Sequence, residues 1–188
     1  MNIAEITGFI TGIAGVWLTV RQNIWCFPVG LINVGISLFL FIDEKLYSDA
    51  VQQAFYIVLL SYGWYMWING VRKSDFQVTS LDQKSISMYV LITVCIAAFM
   101  GSLFHYYTDA DVPYLDASAT ALSFVAQYLI AKKKIENWFI WVIVNLMYIG
   151  IYFYKELYLY AALSGVYLIL AINGWYSWKK ELISETSK

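Results

Sequence analysis

The chain has 188 residues, of which 61% are hydrophobic and only 13% charged. With a mean hydropathy of +0.62 and apolar runs near bilayer length along the whole chain, a soluble domain is excluded and a polytopic membrane protein indicated. A formal net charge of −1 provides no electrostatic footprint for nucleic acid.

The first run, Ile3 to Val20, reads as a span and not a secretory signal: it carries Glu5, no preceding Lys or Arg and no Ala-x-Ala site. Gly8 and Gly12 form a small-xxx-small pair that would admit a neighbouring helix. The second run, Ile24 to Ile42, holds Asn33 near its middle and Pro28 as a potential kink. After the acidic loop Asp43-Glu44-Lys45 comes the third, Ala50 to Ile68, with Gln52 and Gln53 near its start and Trp64-Tyr65-Met66-Trp67 at its end. The polar stretch Asn69 to Ser85 joins two halves. The fourth run, Ile86 to Phe104, is almost wholly apolar, and His105 to Pro113 forms a loop with Asp109 and Asp111. In the fifth, Tyr114 to Ala131, Asp116, Thr120, Ser123 and Gln127 share one helical face. Lys132-Lys133-Lys134 closes it. The sixth runs from Asn137 to Tyr154, the seventh from Leu157 to Trp178, and a tail follows to Lys188.

Charge orients the spans. Arg21, Arg72, Lys73, Lys84, Lys132, Lys133, Lys134, Lys179, Lys180 and Lys188 follow the odd-numbered runs, leaving Lys45 and Lys155 on the other side. The positive-inside rule then places the N-terminus outside and the C-terminus in the cytoplasm. Shifting the chain by 111 residues lays the third run over the seventh. Leu46, Tyr47, Ala50, Tyr56, Leu59, Gly63, Trp64, Tyr65 and Trp67 meet Leu157, Tyr158, Ala161, Tyr167, Leu170, Gly174, Trp175, Tyr176 and Trp178. Upstream, with small gaps, Asn33 falls over Asn145 and Asn23 over Asn137. The expected architecture is an all-α membrane protein of seven spans in a 3+1+3 arrangement. Residues 1–72 form the first repeat, 73–112 the loop and linker helix, 113–180 the second repeat, and 181–188 a cytoplasmic tail. An odd linker helix makes the repeats parallel, as in SWEET-type sugar carriers, with the substrate site at their interface.

The sixth run carries the chemistry. Trp138, Trp141, Asn145 and Tyr148 fall on one helical stripe between aliphatic flanks. Two readings fit: a site for a flat, polar-edged guest, or an aromatic belt at the membrane surface with Asn145 binding a neighbouring helix. Tyr56 and Tyr167 would add aromatic faces, and Asn33, Gln53 and Gln127 hydrogen-bonding amides. Asp116 has three open roles: gate, substrate contact or helix-end charge. Trp67 and Trp178 read as belt anchors at the cytoplasmic surface. Cys26 and Cys95, both within apolar runs, read as buried thiols. His105 has no second His or Cys nearby and is a poor zinc ligand, so no metal or cofactor is expected. The spans hold no His, paired carboxylates or Ser/His/Asp set, which argues against an enzyme.

Gly63-Trp64-Tyr65-x-Trp67, Gly30-Leu31-Ile32-Asn33-Val34, Pro113-Tyr114-Leu115-Asp116 and Glu136-Asn137-Trp138-x-x-Trp141 together resemble the PnuC family of bacterial vitamin transporters, over Ile3 to Trp178. The resemblance implies uptake of nicotinamide riboside, thiamine or a related vitamin across the inner membrane. It further implies facilitated diffusion and trapping by cytoplasmic kinases, with Trp138, Trp141 and Gln53 at the vitamin site. A SWEET-like sugar carrier is the alternative, since sugars also stack on Trp. Apart from the vitamin and the lipid bilayer, a homo-oligomeric partner is left open.

Overall fold

Each apolar run forms one helix in a computed structural model, which describes residues 3–43, 47–71, 76–107 and 111–186. The helices are α1 (Ile3–Val20), α2 (Cys26–Asp43), α3 (Tyr47–Val71), α4 (Gln83–Tyr107), α5 (Pro113–Ala131), α6 (Glu136–Tyr154) and α7 (Tyr158–Thr186). Glu44, Lys45, Leu46, Arg72, Lys73, Asp109 and Lys188 lie outside the described residues. By length and composition, α2, α4, α6 and α7 are apolar enough to cross a membrane. α1 provides a shorter apolar helix, Ile6–Val20, while α3 and α5 are diluted by the polar residues they carry inward, such as Gln53 on α3 and Thr120, Ser123 and Gln127 on α5.

The 111-residue relation extends beyond the third and seventh runs. The ends of α1 and α5, Val20 and Ala131, are 111 residues apart, as are the ends of α2 and α6 and the starts of α3 and α7. Gln22 (φ 52°) and Lys133 (φ 50°), which turn the chain after α1 and α5, keep the same spacing. The register therefore has no gap, which corrects the expected alignment. Asn33 lies over Val144 and Val34 over Asn145, and Asn23 lies over Lys134. One residue of offset is about 100° around a helix, so the two asparagines face different neighbours.

Helix contacts close a ring. α1 touches α2, α2 touches α3, α3 touches α5, α5 touches α6, α6 touches α7, and α7 returns to α1. Each three-helix unit thus joins the other through its first and third helices. Among the described residues α4 touches only α5. That isolation explains why Cys95 on α4 is exposed, against the expectation of burial, while Cys26 is buried. Aliphatic and aromatic side chains such as Phe39, Phe99 and Ile169 cover the outside, as a lipid-facing surface requires.

Three local expectations change. Pro28 lies in the first turn of α2, where its missing N–H breaks no helical bond, so it makes no kink. The tail after Trp178 is helical through Thr186, because Leu182 packs on the core and Glu181 accepts a hydrogen bond from Gln22. The polar joining stretch is tied to the α5–α6 turn. Thr79 N donates to the Lys133 carbonyl at 3.1 Å, Ile135 N to the Thr79 carbonyl at 3.0 Å, and Leu81 N to Glu136 Oε1 at 2.8 Å.

Candidate functional site

The six ring helices enclose a cavity of about 310 Å³. Paired contributions from the two units build its walls. Val16 and Gln127, Thr19 and Ile130, Phe27 and Trp138, Val34 and Asn145, Tyr56 and Tyr167, and Leu60 and Ala171 all line it, and each pair is 111 residues apart. Gly15, Cys26, Asn33, Gln53 and Trp141 complete the lining. Of the residues expected at a site, Trp138, Trp141, Asn145, Asn33, Gln53, Tyr56, Gln127 and Tyr167 are brought together here. Among the described residues no Lys, Arg, His, Asp or Glu lines the cavity.

Toward the basic side the cavity rests on aromatic rings. Phe27 meets Trp67 edge-on at 5.0 Å, and Trp138 meets Trp178 edge-on at 5.4 Å, with Trp67 and Trp178 6.4 Å apart between them. These contacts repeat because two glycines permit them. A Cβ on Gly63 would fall 2.5 Å from the Phe27 ring, and a Cβ on Gly174 would fall 2.5 Å from three atoms of the Trp138 indole. Expected as surface anchors, Trp67 and Trp178 are instead 1% and 0% exposed. The Trp67 indole N–H donates to the Ile130 carbonyl at 3.2 Å, and Lys133 Nζ stands 4.9 Å over its ring. The correction has a simple cause: α3 and α7 continue past these tryptophans, so the rings lie within the bundle and not at its edge.

The amides are unequally committed. Asn33 Nδ2 donates to the Gly8 carbonyl at 2.6 Å and to Thr11 Oγ1 at 3.1 Å, leaving its carbonyl oxygen as an acceptor. Asn145 Nδ2 donates to the Trp141 carbonyl of its own helix at 2.7 Å, likewise leaving an acceptor. The indole N–H of Trp138 is buried with no acceptor, a state that costs about 1–3 kcal/mol unless a partner arrives. Gly8 and Gly12, read as a helix-docking pair, lie where α2 and α7 side chains approach α1. Gly8 supplies the carbonyl for Asn33, and Gly12 makes room for the Tyr167 hydroxyl.

Two expected residues stand outside the cavity. Tyr148 is one helical turn beyond Asn145, stacks on Tyr152 at 5.6 Å, and has its hydroxyl near Thr120, Gln52 and Ser123. Asp116 forms an ion pair with Lys155 at 3.4 Å, tying the start of α5 to the end of α6. Both sit nearer the acidic end of the bundle. Sequence reading missed Phe27, Leu60, Thr19 and Cys26. The exact 111-residue shift would have found Phe27 from Trp138, Val16 from Gln127 and Val34 from Asn145.

A family model described as nicotinamide mononucleotide transporter matches residues 2–180. The chain belongs to this transporter family. The nicotinamide riboside transporter PnuC of Escherichia coli strain K12 is similar to it, at 28% identity over 203 residues, covering 93% of this chain and 84% of that protein. The riboflavin/roseoflavin transporter RibM of Streptomyces davaonensis is 28% identical over 174 residues, covering 88% of this chain and 78% of that one. A crystal structure of the vitamin B3 transporter PnuC has the same fold, with a TM-score of 0.76 at 21% identity over 95% of this chain and 81% of the other. As a nicotinamide mononucleotide transporter family member, the chain is a seven-helix membrane transporter, and its cavity lies where its two three-helix units meet.

Proposed function

We propose that the chain takes up nicotinamide riboside by facilitated diffusion, with alternating access of the central cavity to the two sides of the membrane. The lining carries this reading: indole and phenol faces, carboxamides, and no charged side chain. Nicotinamide riboside is a planar aromatic cation with an amide and ribose hydroxyls. Each aromatic face attracts such a cation by about 0.5–2 kcal/mol. The free oxygens of Asn33 and Asn145 accept from the amide or hydroxyls, and the orphan Trp138 N–H finds an acceptor on the guest. A neutral lining also suits release, since a buried counter-charge would hold the cation.

The same lining favours the riboside over the mononucleotide. A phosphate would be buried with no cation to receive it, at a cost of several kcal/mol. RibM, with its riboflavin substrate, motivates a second reading. The cavity volume of about 310 Å³ lies at the small end for ligand sites, which favours a one-ring vitamin over a three-ring flavin. Thiamine, also a planar cation, is the closer competitor. Uptake is into the cytoplasm across the inner membrane, with the N-terminus outside, because ten of the twelve basic residues follow odd-numbered helices. Phosphorylation by cytoplasmic kinases then traps the vitamin.

Titration calorimetry on detergent-solubilised protein with nicotinamide riboside, nicotinamide mononucleotide, thiamine and riboflavin tests the proposal. The riboside should bind at least about tenfold tighter than each of the others, a difference of about 1.4 kcal/mol. Equal binding of the mononucleotide, or tighter binding of riboflavin or thiamine, would overturn it.

A further inference from the structure

A second hollow, of about 330 Å³, lies away from the central cavity between α4 and α5. Met88, Ile92 and Ile96 form one wall, and Phe124 and Val125 the other. The α4 residues recur every four positions, so they share one face and extend about 12 Å along the helix. No other described helix touches α4, so the slot opens to the bilayer.

One end of the slot is polar. Tyr89 and Tyr128 close it, with ring centroids 6.1 Å apart. Tyr62 stacks on Tyr128 at 5.8 Å with the rings 2° from parallel. Lys132, one turn beyond Tyr128, holds Nζ 5.5 Å from the Tyr62 ring and 5.8 Å from the Tyr128 ring. A hydrogen bond with Tyr62 raises the Lys132 pKa above its ordinary value, so the ammonium is charged at any physiological pH. Asp82 accepts from Ser85, and Glu136 accepts from Leu81 N through Oε1. Among the described residues no carboxylate forms an ion pair with Lys132.

An apolar slot that ends at a cation framed by phenols has the two chemistries of an acidic lipid in sequence: hydrocarbon, then phosphate. Basic pockets between membrane helices on the cytoplasmic side hold anionic headgroups in this way, and tyrosines favour that depth. We propose that the α4–α5 slot binds one anionic phospholipid, with an acyl chain along Met88, Ile92 and Ile96 and its phosphate on Lys132 and Tyr62. The helix that contributes nothing to the central cavity would thus have a partner in the cytoplasmic leaflet.

Native mass spectrometry of the detergent-solubilised protein, titrated with phosphatidylglycerol or phosphatidylcholine of matched acyl chains, provides the test. Wild type should retain phosphatidylglycerol roughly fivefold better, as one lysine at a membrane surface implies. Lys132→Gln should hold the two lipids equally. Ile92→Trp, which fills the slot from a lipid-facing position, should lose phosphatidylglycerol although Lys132 remains. Lys180→Gln, on α7, should keep the preference. Equal retention by wild type, a preference that survives Lys132→Gln, or lipid held only at the mass of an oligomer would overturn the proposal. The last outcome would make the slot an interface between copies.

Discussion

Trp138 and Asn145 show how one side chain can serve packing and recognition at once. Trp138 is 1% exposed, packed against Gly174 and Trp178, yet it lines the cavity with an unpaired N–H. Trp141, on the same wall, is only partly buried. Trp141→Ala removes an aromatic face, and riboside affinity should fall about five- to thirtyfold by calorimetry, at about 1–2 kcal/mol per desolvated cation contact. Trp141→Phe should keep most of it. Asn145→Leu should cost a similar amount, by stranding a polar group of the guest. Tyr148→Phe should leave affinity nearly unchanged, since Tyr148 stands outside the cavity. Loss in Tyr148→Phe with none in Trp141→Ala would place the site elsewhere. Trp178 contributes from below. Trp178→Phe shrinks a fully buried ring and should lower stability by about 1–3 kcal/mol. A thermal melt should register this as a fall of about 2–4 °C for each kcal/mol in a chain of this size.

At the scale of elements, glycines set how closely α2 approaches α3 and α6 approaches α7. Gly174→Ala would drive a methyl group into the Trp138 ring, so Trp138 must turn out of the cavity wall. Both the melting temperature and riboside affinity should drop. Gly150, on the same α6 helix, has nothing within 4 Å of a built Cβ. Gly150→Ala should leave affinity intact and raise stability by up to about 1 kcal/mol through helix propensity. Equal behaviour of the two variants would show that the glycine–indole contact is unimportant. The start of α4 offers a pH test. Asp82 accepts from the Ser85 hydroxyl at 2.5 Å and from Ser85 N at 3.4 Å, and the hydroxyl bond holds its carboxyl below the usual range. A depressed carboxyl contributes stability above its unfolded pKa of about 3.9, and that stability is lost as pH falls through the folded value. The difference in melting temperature between wild type and Asp82→Ala should therefore be constant near neutrality and shrink below about pH 4. A difference independent of pH down to that range would remove the carboxylate from the cap.

For the whole molecule, the ring of six helices and its neutral cavity predict transport without an ion gradient. Riboside should equilibrate across kinase-free proteoliposomes, and accumulation driven by a proton or sodium gradient would contradict the uncharged lining. Orientation is testable at Ser80, an exposed residue whose carbonyl meets Lys134 Nζ at 3.3 Å on the basic side. With Cys26 and Cys95 replaced, Ser80→Cys should react with an impermeant thiol reagent only in inverted vesicles. Labelling of intact cells would reverse the topology.

The seven spans were legible in the chain because helices in a bilayer must satisfy their own backbone groups, so each leaves a run of apolar residues of bilayer length. The internal relation was legible in α3 and α7, where Gly63, Trp67, Gly174 and Trp178 are unchanged between the units. It was blurred upstream, because the two asparagines invited a gapped match that only the helix ends and the turns at Gln22 and Lys133 correct. The polar and aromatic part of the cavity could be read from Trp, Asn, Gln and Tyr in apolar surroundings, where a polar group implies an interior. Tertiary structure alone decided which of these residues face the cavity. Tyr148 and Asp116 share helical stripes with lining residues, but a stripe three turns long passes from the cavity to the end of the bundle. Burial of Trp67 and Trp178 likewise followed from helix length beyond the apolar run and from packing on the opposite unit. Periodicity reports the face of a helix, whereas depth along the bundle and the identity of the neighbour are set by how the helices close on one another.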